Sequence, residues 1–303
     1  MATMLTRELV LARSKALPAF PRVIAEIMAT IDDPDANLKL LVRHIEHDPV
    51  VAGRVMALAN TAAASRGREG GVRDIYTATS MVGLARIREL AVIASFIGFA
   101  RDIAPAAMAS YWQHSVAVGV CAEELARYAS VPVSTSSALI GGLMHDIGQL
   151  WLCRFEPAAI AGSSGEALAR KVGIEVVERE RFGVDHAAIG AWLAQGWSLP
   201  ENIVAAIAAH HALAGDSGAT EGAGAAAGVA KMADNPLLAV IHMAETLSNA
   251  LDLAGREENR VSRVSASACQ LLGLSWGEEI RPLLGRVEGR ARHAGVFFRD
   301  MVR

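Results

Sequence analysis

The stretch GGLMHDIGQL, Gly141–Leu150, sets a histidine beside an aspartate in a run that is otherwise small and apolar. Leu139, Leu143, Ile147 and Leu150 recur at helical spacing along one face. Ala138, Gly141, Gly142, His145 and Gln149 occupy the opposite face. Neither face carries charge apart from His145 and Asp146, so the pattern predicts a helix buried all round. The glycines beside His145 predict close approach of a neighbouring helix. A carboxylate buried there needs a partner or a metal ion, because its desolvation alone is too costly. Adjacent helical residues point about 100° apart, so both side chains can still reach one ion held between helices.

Candidate partners stand on the helices to either side. His114 lies in PAAMASYWQHSVAVGVCAEELARYA, and Ser134–Ser137 reads as the N-cap region of the helix that follows. Asp185 reads as the cap of HAAIGAWLAQG, which opens on His186. Ile203 and Ile207 mark a buried face, and His210 and His211 follow Ile207 by three and four residues on that side. His242 and Glu245 stand three residues apart and can face one point. Histidines and carboxylates from several helices are a known way to build a metal site in a bundle core. Imidazole with carboxylate suits Fe, Mn, Zn, Ni or similar divalent ions. A single helical histidine is ordinarily a hydrogen-bonded structural residue. A metal-free His–Asp network is therefore the competing arrangement for the whole set.

The rest of the chain predicts an all-α protein. Of 303 residues, 52% are hydrophobic but only 5% aromatic, so Ala, Leu, Val and Ile supply the core. That balance favours helices packed closely on small residues over a β-sandwich. PRVIAEIMATI (Pro21–Ile31), LKLLVRHIEH (Leu38–His47) and VVAGRVMALAN (Val50–Asn60) read as helices, and residues 75–100 as two helical segments split around Gly83. The Gly/Ala/Ser-rich residues 214–229 read as a loop. Cys121, Cys153 and Cys269 lie far apart without CxxC pairing, which suits core thiols in a reducing compartment. No signal peptide and no uninterrupted apolar run of membrane-spanning length is visible, so a cytoplasmic protein is expected. The net charge of −3 gives no support to nucleic-acid binding. Arg286, Arg290, Arg292 and Arg299 in the tail read as a solvated face diluted by acidic neighbours.

The order of these motifs carries a resemblance. A histidine, then HD, a further histidine and HH on consecutive helices is similar to the HD phosphohydrolase superfamily. LPAFPRV, IEHDPVVAGRVMALANTAAAS, SMVGLARIRELA, GLMHDIGQLWL and FGVDHAAIGAWLAQGWSLPENIVAAIAAHH together resemble the HDOD family over about residues 15–250. The resemblance implies an N-terminal helical bundle, residues 15–104, then an HD-like helical bundle, residues 105–255, with a C-terminal helical tail, residues 256–303. It implies a metal-ligand set of His114, His145, Asp146, His186, His210, His211 and Glu245, holding one or two divalent ions. Glu245 falls where the superfamily places a final aspartate. It also implies a bacterial regulatory module whose partners are signalling proteins or a nucleotide second messenger. A metal-dependent phosphohydrolase acting on a nucleotide is the alternative. Two departures bear on that choice. The chain has no GYP after its histidine pair, and Gln149 stands where HDIGK relatives carry lysine. A neutral amide cannot supply charge to a developing oxyanion.

Overall fold

A computed structural model of the chain describes residues 4–15, 26, 27, 30, 33, 35, 37–47, 49–65, 71–84, 86, 87, 90, 105–211, 230–253, 264–275 and 280–302. Every regular element among them is a helix, as expected. The chain divides into two compact units, one of Leu17–Arg101 and one of Met1–Ala16 with Asp102–Arg303.

Helix α1 (Arg7–Ser14) belongs to the larger unit and starts at Thr6, whose side chain accepts the Leu9 N–H. The smaller unit is built from α2 (Leu38–Glu46), α3 (Pro49–Ser65) and α4 (Ile75–Val82), which pack on one another. Leu41, Ile45, Val51 and Val55 form part of its core. Asn60 holds the turn back from α3, accepting from the Val72 N–H at 2.6 Å and donating to the Val72 carbonyl at 3.1 Å. Helix α4 stops at Gly83 with φ at 80°, where glycine alone is unstrained, in agreement with the split expected there. The helix expected over 21–31 lies largely outside the described residues, and the loop expected over 214–229 entirely so.

The larger unit continues with α5 (Pro105–Tyr128), α6 (Thr135–Met144), α7 (Ile147–Phe155), α8 (Pro157–Ile160), α9 (Ser163–Arg170) and α10 (Ile174–Phe182). It is completed by α11 (His186–Gly196), α12 (Glu201–Ala209), α13 (Pro236–Ala250), α14 (Ala266–Leu272) and α15 (Arg281–Val302). Helix α5 is the hub, packed against α6, α13 and α15, while α11 lies on α7, α12 and α1. Trp151, Leu125, Leu139, Met144 and Phe182 are among the largest fully buried side chains. The three cysteines are free thiols, Cys121 and Cys269 buried and Cys153 partly so. No helix among the described residues is long and apolar enough to cross a membrane.

Arg286 and Arg290 of the tail are bound more specifically than a solvated face, while the side chains of Arg292 and Arg299 lie outside those described. Arg290 of α15 reaches Glu123 at 2.6 Å and Glu124 at 2.5 Å, and Arg286 reaches Glu124 at 3.2 Å. Arg127 completes the network from α5 itself, at 2.5 Å and 2.6 Å from the same two carboxylates. Both glutamates are buried. Burial would raise the Glu124 carboxyl, but Arg290 and Arg286 outweigh it and hold the pKa below the ordinary glutamate value. Partners lying some 160 residues away in sequence are what hid this role in the charge pattern of the tail.

Candidate metal centre

The expected single helix through His145 and Asp146 is two helices. Helix α6 begins at Ser134, whose hydroxyl accepts the Ser137 N–H at 3.1 Å, and ends at Met144. His145 is its C-cap, and Asp146, at φ −98° and ψ 12°, lies outside helical geometry before α7 begins. The turn changes what a continuous helix would have fixed, the divergence of adjacent side chains. His145 and Asp146 face one space at the junction of the two helices, with His145 Nε2 3.4 Å from Asp146 Oδ2.

Close helix crossings bring the other groups in. At Gly142 an added Cβ would stand 2.8 Å from the Gly119 Cα and 2.9 Å from the Val118 carbonyl oxygen. Helices α5 and α6 therefore meet backbone to backbone, which sets His114 beside His145. At Gly148 an added Cβ would collide with the His186 carbonyl and stand 2.9 Å from the Gly190 nitrogen. That contact seats α11 on α7 and brings His186 to Asp146. Asp185 caps α11 by accepting the Ala188 N–H at 2.9 Å, as expected, and is held by Arg179 at 2.7 Å. His210 follows as the C-cap of α12.

The Asp146 carboxylate stands between two groups of imidazoles. Its Oδ2 is 3.6 Å from His114 Nε2 and 3.4 Å from His145 Nε2, and these two nitrogens are 3.3 Å apart. Its Oδ1 is 3.2 Å from His186 Nε2 and 3.6 Å from His210 Nε2. His211 Nε2 joins that side, 2.7 Å from His186 Nε2. Each group, with Asp146, offers ligand atoms within 4.8 Å of one another and could hold a metal ion. All but His211, which is partly exposed, are buried. Six of the seven expected residues thus come together. Glu245 belongs to neither group; it is half-buried on α13, and its charge acts on His145 from there. His242 is buried on the same helix, also outside both groups.

Residues 17–213 match the HDOD domain family. The chain belongs to that family. An uncharacterized protein of Treponema pallidum (strain Nichols) is 26% identical over 197 residues, 65% of this chain and 38% of that protein. The chain therefore spans well under half the length of this relative. A solved HDOD domain protein of Geobacter sulfurreducens superposes with a TM-score of 0.67 at 20% identity, covering 95% of this chain and 97% of its own. A structure from Shewanella amazonensis SB2B described as a candidate phosphohydrolase gives 0.63 at 24% identity, with coverage of 95% and 97%. One from Marinobacter aquaeolei VT8 described as a candidate signal transduction protein gives 0.69 at 19% identity, covering 94% of this chain and 60% of its own. At these identities the likeness establishes the fold.

The hydrogen bonding of this HDOD cluster fits a cation. His145 Nδ1 is 2.7 Å from the Gly142 carbonyl oxygen and His210 Nδ1 is 2.7 Å from that of Ile207. A carbonyl only accepts, so both Nδ1 atoms carry a proton and both rings turn Nε2 toward Asp146. His210 Nε2 is buried and makes no hydrogen bond. Ring nitrogens converging on a carboxylate need positive charge among them. In metal-stripped protein, protons can meet that need. Burial opposes charge on His145 and His186, but Asp146, together with Glu178 for His186, outweighs it and raises both pKa values, His186 well above the ordinary range. Asp146 is held well below the ordinary carboxylate range against its own burial, chiefly by His145. Burial and the neighbouring His210 and His186 push His211 well down.

One buried residue of the cluster was not among the expected ligands. Glu178 of α10 is fully buried, and its Oε2 is 2.5 Å from His186 Nδ1 and 2.8 Å from the His186 backbone nitrogen. Its sequence context, VERER, reads as a solvated charged run. The available signal was its place on the buried stripe of α10 with Phe182, four residues on.

Proposed function

We propose that this HDOD chain is a bacterial, cytoplasmic regulatory module that retains a divalent-ion site and acts by binding a signalling protein or a nucleotide second messenger. His114, His145, Asp146, His186, His210 and His211 hold one or two ions among Fe, Mn, Zn and Ni, with Glu245 completing the set from α13. The observation that carries the regulatory reading is Gln149. It lies one turn beyond Asp146, half-buried, with its backbone N–H on the Asp146 carbonyl at 2.8 Å. The site thus keeps its ion-binding groups and has a neutral side chain where charge would assist a phosphoryl transition state. The solved Marinobacter relative described as a candidate signal transduction protein supports the same direction.

The second reading is a metal-dependent phosphohydrolase. One carboxylate between two histidine groups favours it, since paired ions stabilise attacking and leaving oxygens together. In that reading the six buried or half-buried groups would position the ions, and the bundle around them would exclude bulk water. The candidate phosphohydrolase from Shewanella amazonensis SB2B lends it support.

The two readings separate in one experiment. Protein loaded with Mn is presented with nucleotides and cyclic dinucleotides, while thermal shift reports binding and product release reports hydrolysis. A nucleotide that raises the melting temperature without being consumed is the expected result. Turnover that His145→Ala abolishes would replace the regulatory reading with the enzymatic one.

A further inference from the structure

His186 is oriented differently from His145 and His210. Those two rings are fixed by carbonyl oxygens three residues earlier, Gly142 and Ile207, at the ends of their own helices. His186 is the first residue of α11, so no preceding turn of that helix supplies such a carbonyl. Glu178, reaching across from α10, takes its place. One oxygen accepts from both the backbone and the ring of His186, which fixes the residue at two points. The other oxygen, Oε1, is buried and has no hydrogen-bond partner.

We propose that Glu178 is a positioning residue for His186 and strengthens ion binding on the Oδ1 side of Asp146 only, leaving the His114–His145 side unaffected. This rests on the cluster being a metal site. A carboxylate accepting from Nδ1 fixes the tautomer that leaves Nε2 free, and it makes the ring a stronger donor than a neutral carbonyl does. Oε1 makes no hydrogen bond, so the hydrogen bonds of this side chain all go to His186. His145 on the opposite side is oriented by a neutral carbonyl, that of Gly142. The support Glu178 gives therefore falls on the Oδ1 position.

A purely structural role would be different. Glu178 also accepts the first backbone N–H of α11, and a residue that merely capped this helix would affect both positions through the fold, or neither. Titrating metal-stripped wild-type protein, Glu178→Gln and Glu178→Asp with Co(II), followed by calorimetry and visible absorption, distinguishes these cases. Wild type is expected to take up two equivalents. In Glu178→Gln one equivalent keeps its affinity and the other weakens by roughly 10- to 100-fold, the size of effect usual for an outer partner of a ligating histidine. Glu178→Asp keeps the charge, withdraws it by one methylene, and weakens the same equivalent by less. Its milder change also covers the case in which Glu178→Gln folds poorly. Loss spread equally over both equivalents, or no change in either, would overturn the proposal while leaving the metal reading intact. If wild type takes up a single equivalent, the proposal stands when Glu178→Gln weakens it with the melting temperature of the metal-free protein unchanged, and falls otherwise. Wild type that takes up no cobalt overturns the metal reading, and the role of Glu178 with it.

Discussion

Asp146→Asn is expected to remove both proposed ion positions at once. Each histidine of the two groups stands on one side of the cluster, whereas Asp146 presents Oδ2 to His114 and His145 and Oδ1 to His186 and His210. An amide keeps the size of the carboxylate but gives up the charge and turns a donor toward one group of imidazoles. Metal per chain, measured on purified protein, is expected to fall from one or two equivalents to below about a tenth, the result of losing a shared ligand rather than an outer one. His114→Ala, by contrast, leaves the Oδ1 side populated. The same substitution destabilises the metal-free protein in a defined pH window. Asp146 and Glu178 raise His186, and Asp146 raises His145, so the stability these rings contribute is present below an unfolded histidine value of about 6.5 and fades as pH rises through the higher folded values. Without Asp146 that contribution is reduced. The expected cost below about pH 6 is about 3 kcal/mol, the lower end for breaking a buried ion pair, because imidazoles can shed protons where other cations cannot. Denaturant melts of metal-free protein across pH measure it. A cost that grows toward alkaline pH would contradict the assignment of charge.

Gly148→Ala is expected to be the most damaging single methyl group in the larger unit. The added carbon collides with the His186 carbonyl oxygen and meets the Gly190 nitrogen at 2.9 Å, all of it backbone. A flexible side chain could move aside, but two helices seated on each other cannot without separating. The expected cost is about 3 kcal/mol, at the upper end for overpacking, which corresponds to a fall of roughly 6–12 °C in melting temperature for a domain of this size. Separation of α11 from α7 also draws His186 away from Asp146, so the Oδ1 side loses its ion before the Oδ2 side does. Gly165→Ala is the matched control. Its added carbon meets nothing within 4 Å, and alanine in place of a helical glycine stabilises by roughly 0.5–1 kcal/mol. Equal melting temperatures for the two variants would show that the α7–α11 crossing is softer than the backbone contacts require.

The sequence made the helices and most of the cluster legible because both depend on local signals. Alternation suited to strands is absent, Ser134 and Asp185 stand where caps are needed, and Gly83 ends α4 at the expected place. The break at His145 and Asp146 was not legible. Leu139, Leu143, Ile147 and Leu150 keep helical spacing straight through it, and all four are buried, so the apolar pattern carries no trace of the turn. Glu178 was hidden in a charged run, and the docking of Arg286 and Arg290 on Glu123 and Glu124 was hidden by sequence distance. Both are cases in which the partner, not the residue, determines the role. Glu245, which the resemblance places among the ligands, lies half-buried on α13 beside the two groups.

The central claim is that Asp146 is shared between ions. Crystals of the wild-type protein loaded with Mn and measured at the metal absorption edge test it most directly. The account predicts anomalous density on each side of the Asp146 carboxylate, one peak against His114 and His145 and one against His186, His210 and His211. Well-ordered protein with no anomalous density at Asp146, its imidazoles hydrogen-bonded to one another and to the carboxylate, would contradict it and leave a metal-free polar core.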